Sequence, residues 1–214
     1  MLVHGWGGRG LQMGGFAEPL VEAGYRVLAL DLPAHGESPG RSTSLPEAAA
    51  AVQAATRYAQ EMTDREVKAV VAHSFGSVAS AVAFSEEGPK PGKLVFVGAS
   101  GNLNQMLDRY RDLTGLTGEV MDRLVKSLEK RFEFRWEELH PNRLGSRVDR
   151  ELLVIHDTDD EETSWREASR LAASWPRASM MTTSGLGHFR ILRDETVYSA
   201  TVDFVAGRSM RLPP

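Results

Sequence analysis

Lys68-Ala-Val-Val-Ala-His-Ser-Phe-Gly-Ser-Val-Ala-Ser80 is the stretch on which the fold turns. Its first half is a short apolar run rich in β-branched residues, the pattern of a strand buried on both faces, and its second half is Ala-rich and helical. Between them, Ala72-His73-Ser74-Phe75-Gly76 leaves no length for a loop, so the chain must bend from strand to helix at once. Small residues two before and two after Ser74 permit that bend, and the serine hydroxyl then projects above the C-terminal end of the strand as a candidate nucleophile. The Phe75 N–H falls at the helix N-terminus, where an unpaired donor and the dipole favour a developing oxyanion. Taken alone, the segment reads equally as a helix capped by a serine.

Working outward, short apolar runs alternate with longer helical patterns, which predicts an α/β fold: a mostly parallel sheet of about six strands with helices on both faces. The predicted strands are Leu2-Val3, Arg26 to Leu30, Lys68 to Ala72, Lys93 to Val97, Glu151 to Ile155 and Ala178 to Thr182. Helical patterns run from Phe16 to Ala23, Pro46 to Met62, Phe75 to Glu86, Thr163 to Trp175 and His188 to Val205. The alternation breaks between residues 102 and 150, where Val120, Leu124, Leu128 and Phe132 recur every four residues with no strand beside them. That stretch is expected to be a small helical cap inserted into a single domain spanning 1–214, with the stripe as core-packing surface. Phe132, Phe134, Trp136 and Leu139, near Met106 and Leu107, offer apolar material for a pocket.

Composition narrows the function classes. The net charge of −4, with acids and bases interspersed, gives no footprint for nucleic acid or an anionic membrane. No apolar run reaches the ~18 residues of a membrane span, and no basic flank precedes an apolar N-terminal core, so a soluble, cytoplasmic chain is expected. With no cysteine, the nucleophile must be an oxygen or nitrogen, and a thiolate zinc site is excluded. No histidine has metal-ligand spacing to another His or acid, so neither metal nor cofactor is expected.

Two further segments bear on Ser74. His4-Gly5-Trp6-Gly7-Gly8 follows the first strand, and a Gly-rich loop lets main-chain N–H groups approach a substrate oxygen, which makes the Trp6 N–H a candidate second oxyanion donor. Near the C-terminus, Leu152-Leu-Val-Ile-His-Asp-Thr-Asp-Asp160 ends a strand in acids, and Ser184-Gly-Leu-Gly-His188 closes the next with a histidine. The chain order Ser, Asp, His, each after a separate strand, suits a nucleophile, an orienting acid and a general base. His35 is read as a hydrogen-bonding loop residue, His73 as packed or bonded beneath the sheet and pointing away from Ser74, and His156 as structural.

Together these segments resemble the α/β-hydrolase superfamily, and more narrowly its small bacterial serine-hydrolase members. Asp31-Leu-Pro-Ala-His-Gly-Glu-Ser38 is similar to the superfamily's D-x-P-G-H-G-x-S loop, with Ala34 at a usual glycine, and Ala72 likewise stands where the elbow usually has glycine. The resemblance implies Ser74 as nucleophile, His188 as general base and then acid, and an aspartate after the fifth strand as orienter. The family pattern H-G-x-x-D falls on Asp160, with Asp159 and Asp157 as alternatives. It implies hydrolysis of a small-molecule ester-like substrate, most simply by a carboxylesterase. A thioesterase, lactonase or perhydrolase with the same triad, or a catalytically silent binding module, are the alternatives. Against the family pattern the first two strands are absent, which leaves Val27 to Leu30 as an apolar sheet edge. Either the assigned start lies downstream of the true one, or a compact variant covers that edge by self-association into a homo-oligomer.

Overall fold

A computed structural model of the protein describes residues 1–209. Its strands are β1 (Leu2–Val3), β2 (Ala29–Leu30), β3 (Ala69–His73), β4 (Lys93–Val97), β5 (Glu151–Asp157) and β6 (Ala178–Thr183). They form one six-stranded sheet in the order β2-β1-β3-β4-β5-β6, and every pairing is parallel. The helices are α1 (Ala17–Glu22), α2 (Leu45–Thr63), α3 (Phe75–Ser85), α4 (Leu103–Thr114), α5 (Gly118–Phe132), α6 (Pro141–Val148), α7 (Trp165–Ser174), α8 (Gly187–Arg190) and α9 (Glu195–Ala206). The α/β class and the parallel sheet expected from the sequence are therefore observed.

Strand alternation sends side chains to two separate cores. Val70, Ala72, Leu94, Phe96, Leu152 and Val154 meet α2, α3, α6 and α7 on one face. Ala69, Val71, Val95, Val97, Leu153 and Ile155 meet the 3-10 turn Gly10–Phe16 and α9 on the other. Because both faces are covered, the central strands read as unbroken apolar runs rather than as alternating ones. None of the helices among the described residues is long and apolar enough to cross a membrane.

Three expected elements change shape. The second strand shrinks from Arg26–Leu30 to Ala29–Leu30, because its one partner, β1, is two residues long; the ladder adds only the bond from Leu2 N–H to Leu28 O. The helix expected over 188–205 is broken into α8, a 3-10 turn at Ile191–Arg193 and α9. Asp194 makes that break: its carboxylate accepts from the N–H groups of Thr196 and Val197 and so starts a new helix. The first helix starts as the 3-10 turn Gly10–Phe16, and only Ala17–Glu22 is α-helical.

Between β4 and β5 the chain is helical throughout. Within this stretch α6 belongs to the layer that covers the sheet: Leu144 and Val148 are fully buried, and Trp175 packs on Gly145 while its Nε1 donates to Pro141 O at 2.8 Å. The helices α4 and α5 stand apart, with one buried residue each, Leu103 and Met121.

Sheet order fixes where a site can form. The chain leaves β1 toward β2 on one side and returns to β3 on the other, so successive loops diverge between β1 and β3. A crevice opens at such a reversal, outside the C-terminal ends of the strands. The His4–Gly8 loop and Ser74 lie on either side of it.

Candidate active site

Ser74 sits at the junction of β3 and α3 with φ 50° and ψ −120°, a conformation rarely adopted by a side-chain-bearing residue. Two small neighbours make this bend feasible. A Cβ on Gly76 would fall onto the His4 carbonyl and lie 2.9 Å from Val3 O, so only glycine lets α3 start this close to β1. Ala72 is fully buried between the same layers. Across the crevice, a Cβ on Gly5 would lie 3.0 Å from Ser74 Cβ, which places the Gly-rich loop directly against the elbow.

That loop is held by two histidines. His4 Nδ1–H donates to Gly5 O at 2.7 Å and its Nε2 accepts from Leu32 N–H at 3.0 Å. His35 Nδ1–H donates to Pro33 O at 2.9 Å, while its Nε2 accepts the Gly7 N–H at 3.0 Å. Burial pushes the His4 imidazole below its ordinary value, which keeps its Nε2 available as an acceptor. Asp31 completes the support by accepting from Gly10 N–H and Glu37 N–H, at 2.6 and 2.8 Å. The Trp6 ring meets the Phe75 ring edge-on at 5.2 Å, so the two candidate oxyanion donors belong to adjoining residues.

The acids after β5 divide their tasks. Asp160 Oδ2 accepts His188 Nδ1–H at 2.7 Å and Thr163 Oγ1–H at 3.0 Å, while Oδ1 accepts the N–H groups of Glu162 and Thr163. Burial alone would raise the Asp160 carboxyl, but the His188 bond, the His188 charge and the two amides hold it below the usual carboxylate range. Asp157 instead binds Thr183 Oγ1 at 2.6 Å and Leu186 N–H at 3.1 Å. Asp159 binds Gly185 N–H at 2.7 Å and Ser184 Oγ at 3.0 Å. Of the three candidate acids, then, Asp160 touches His188, and the other two tether the loop that delivers it. His156 Nε2–H donates to Thr163 O at 2.9 Å, bracing the same turn.

His73 is buried and bonded, as expected, but its partner is the His188 segment: the two rings lie with centroids 4.6 Å apart, and its Nε2–H donates to the His188 carbonyl at 3.0 Å. Burial, with the neighbouring His188 charge second, pushes its imidazole down to about 3, so it is neutral and acts as a fixed donor. Its Nδ1 is buried without a partner. Gly98, after β4, was not singled out from the sequence, yet a Cβ there would lie 3.3 Å from the His188 ring and 3.4 Å from His73 Cδ2.

Ser74 and His188 both line one cavity of about 430 Å³, together with Gly5, Trp6 and Phe75. No hydrogen bond joins Ser74 Oγ to His188 among the described residues; such contacts commonly tighten only when substrate is bound. The cavity roof is Met106, Leu107, Tyr110, Leu113, Leu124, Leu128 and Trp136. Two members of the α5 stripe, Leu124 and Leu128, are therefore half-buried cavity wall rather than core, while Val120 is exposed. Of the other aromatic and aliphatic residues expected near a pocket, Leu139 is buried in the core and Phe134 packs against it, while Phe132 is absent from the cavity wall.

A strand-turn-helix serine and a histidine-aspartate pair at the C-terminal edge of a parallel sheet define the alpha/beta hydrolase fold. The chain matches that family over residues 1–192 and belongs to it. Among solved structures it is similar to an esterase of Pyrococcus furiosus, 19% identical with a TM-score of 0.70, covering 98% of this chain and 82% of the other. A monoacylglycerol lipase of Paleococcus ferrophilus is 20% identical with a TM-score of 0.71, covering 97% and 93%. The Est1E protein of Butyrivibrio proteoclasticus, solved with ferulic acid bound, is 18% identical with a TM-score of 0.73, covering 97% and 87%. At these identities the likeness is one of fold. No curated protein matches the chain in sequence.

Proposed function

We propose that the protein is a serine hydrolase cleaving an ester-like bond in a small molecule, a carboxylesterase that works through an acyl-enzyme. The observation that carries this reading is the Ser74 elbow on the floor of the same cavity as a histidine whose Nδ1–H is held by Asp160. With Nδ1 donating to Asp160, the lone pair of His188 Nε2 is the one able to take a proton.

In this mechanism Ser74 Oγ forms a bond to the carbonyl carbon as its proton passes to His188 Nε2. The N–H groups of Trp6 and Phe75 hold the negative oxygen of the tetrahedral intermediate. The carbon–oxygen bond to the leaving group then breaks, and the departing oxygen takes the proton from His188. Water repeats the sequence: it gives its proton to His188, its oxygen bonds the acyl carbon, and Ser74 leaves with the proton returned. Asp160 stabilises the transient imidazolium without being protonated.

Labelling with a fluorophosphonate probe tests the assignment. Wild-type protein should be labelled at Ser74 and show a burst of alcohol release. The Ser74→Ala variant should lose the label and at least roughly 10⁴-fold in turnover. Folded wild-type protein that takes no label, or a Ser74→Ala variant that keeps its turnover, would overturn the reading.

A further inference from the structure

Each helix of the α4–α5 pair is amphipathic, and each turns its apolar side to the cavity without burying it. Met106, Tyr110 and Leu113 of α4 and Leu124 and Leu128 of α5 line the space above Ser74, and Leu113 remains 73% exposed. Such a surface awaits an apolar occupant. Charge in the cavity is self-cancelling. Among the described residues, Arg109 of α4 and Glu162 of the β5–α7 loop are the only Lys, Arg, Asp or Glu side chains in its wall, and they pair with each other. Glu162 is held in place through its own N–H, which donates to Asp160 Oδ1 at 2.8 Å.

We infer that the substrate is an uncharged ester with an apolar acyl group of about six to eight carbons seated under α4 and α5, and that Glu162 excludes anionic acyl groups by occupying Arg109. The inference rests on the esterase reading. Its length follows from volume: at about 30 Å³ per non-hydrogen atom, the share of a water molecule in the liquid, a cavity of about 430 Å³ takes about fourteen such atoms. The ethyl ester of an eight-carbon acid, with about twelve, fits within that space. Its charge class follows from the pair: among the described residues of the wall an incoming carboxylate finds no cation that is not already paired, and it must give up part of its water to sit among apolar side chains.

The experiment measures kcat/KM for ethyl esters from acetate to dodecanoate by acid release, on protein already shown to be labelled at Ser74. Each methylene placed against the roof should raise kcat/KM about three- to fourfold up to hexanoate or octanoate, with a fall by dodecanoate. Monoethyl adipate should be slower than ethyl heptanoate by about tenfold. Glu162→Gln should close about half of that gap on a logarithmic scale by releasing Arg109, and adding Arg109→Gln should open it again. A labelled enzyme that cleaves acetate as well as hexanoate, that accepts adipate as readily as heptanoate, or whose discrimination is indifferent to Glu162→Gln overturns the inference and leaves the esterase reading standing. A wild-type protein that takes no label removes both.

Discussion

Gly98 shows how one backbone position can govern a side chain on another strand. Its φ is +58°, and the space where a Cβ would stand is filled by the His188 ring on one side and His73 on the other. Gly98→Ala is expected to push His188 off its line to Ser74 and to lower kcat by about 10²-fold with KM little changed, as read by steady-state kinetics. Ala34 is the opposite case, a side chain in a glycine conformation, with φ 62°. Ala34→Gly should raise stability by about 0.5–1 kcal/mol in urea unfolding, the relief of left-handed strain exceeding the added freedom of the unfolded chain. His73 can be separated by pH. Its ordinary value is 6.5 and its folded value about 3. Between those limits the unfolded chain binds the extra proton, so stability falls as pH falls. His73→Gln should flatten that slope by about 1.4 kcal/mol per pH unit, whatever its stability at neutral pH. Sequence reading selected Ser74, Asp160 and His188 because each follows a strand in a recognisable pattern, and the structure bonds Asp160 to His188 and sets His188 and Ser74 on one cavity. It left the partner of His73 open because that partner is a backbone carbonyl 115 residues along the chain.

At the scale of elements, the Ser184–Gly187 turn and α8 are a strap pinned by Asp157, Asp159 and Asp160. All three carboxyls lie below their ordinary value: Asp157 and Asp160 despite burial, Asp159 mainly through the Gly185 amide. Their contribution is present above the unfolded value near 3.8 and is lost as pH falls through the lower folded values. Urea midpoints should therefore drop steeply below about pH 4, and amides of residues 184–188 should lose exchange protection before those of β3 and β4. Uniform loss across all of them would refute the pinning. Legibility follows the same logic at this scale. Strands buried on both faces announce themselves, whereas β2 is limited by its partner's length and the break before α9 by a single cap at Asp194. The α5 stripe had the right period for a core face. Periodicity reports which side is apolar, not whether protein or ligand covers it.

Across the whole molecule the stability is uneven. The sheet and its covering helices bury dense apolar cores, while α4 and α5 contribute one buried residue each and are tied down by Arg109 to Glu162 and, at 3.8 Å, Arg131 to Glu47. Both pairs are substantially exposed and weakened by salt. Hydrogen exchange in α4 and α5 is expected to outpace that in α3 by orders of magnitude and to quicken further at 1 M salt, with α3 unaffected. Equal protection in the three helices would contradict this division.

The sheet order has one more consequence. Ser74 follows β3 and His188 follows β6, so the strap must return across β5 and β4, three inter-strand spacings or roughly 14 Å. The span is measured out in whole strands, like a bridge whose length is set by its piers. A strand gained between β3 and β6 would part the two residues by a full pier, and one lost would crowd them by the same amount. Strands added to the sheet beyond either edge, β2 or β6, would leave the span intact, so the sheet can widen without moving the two residues apart.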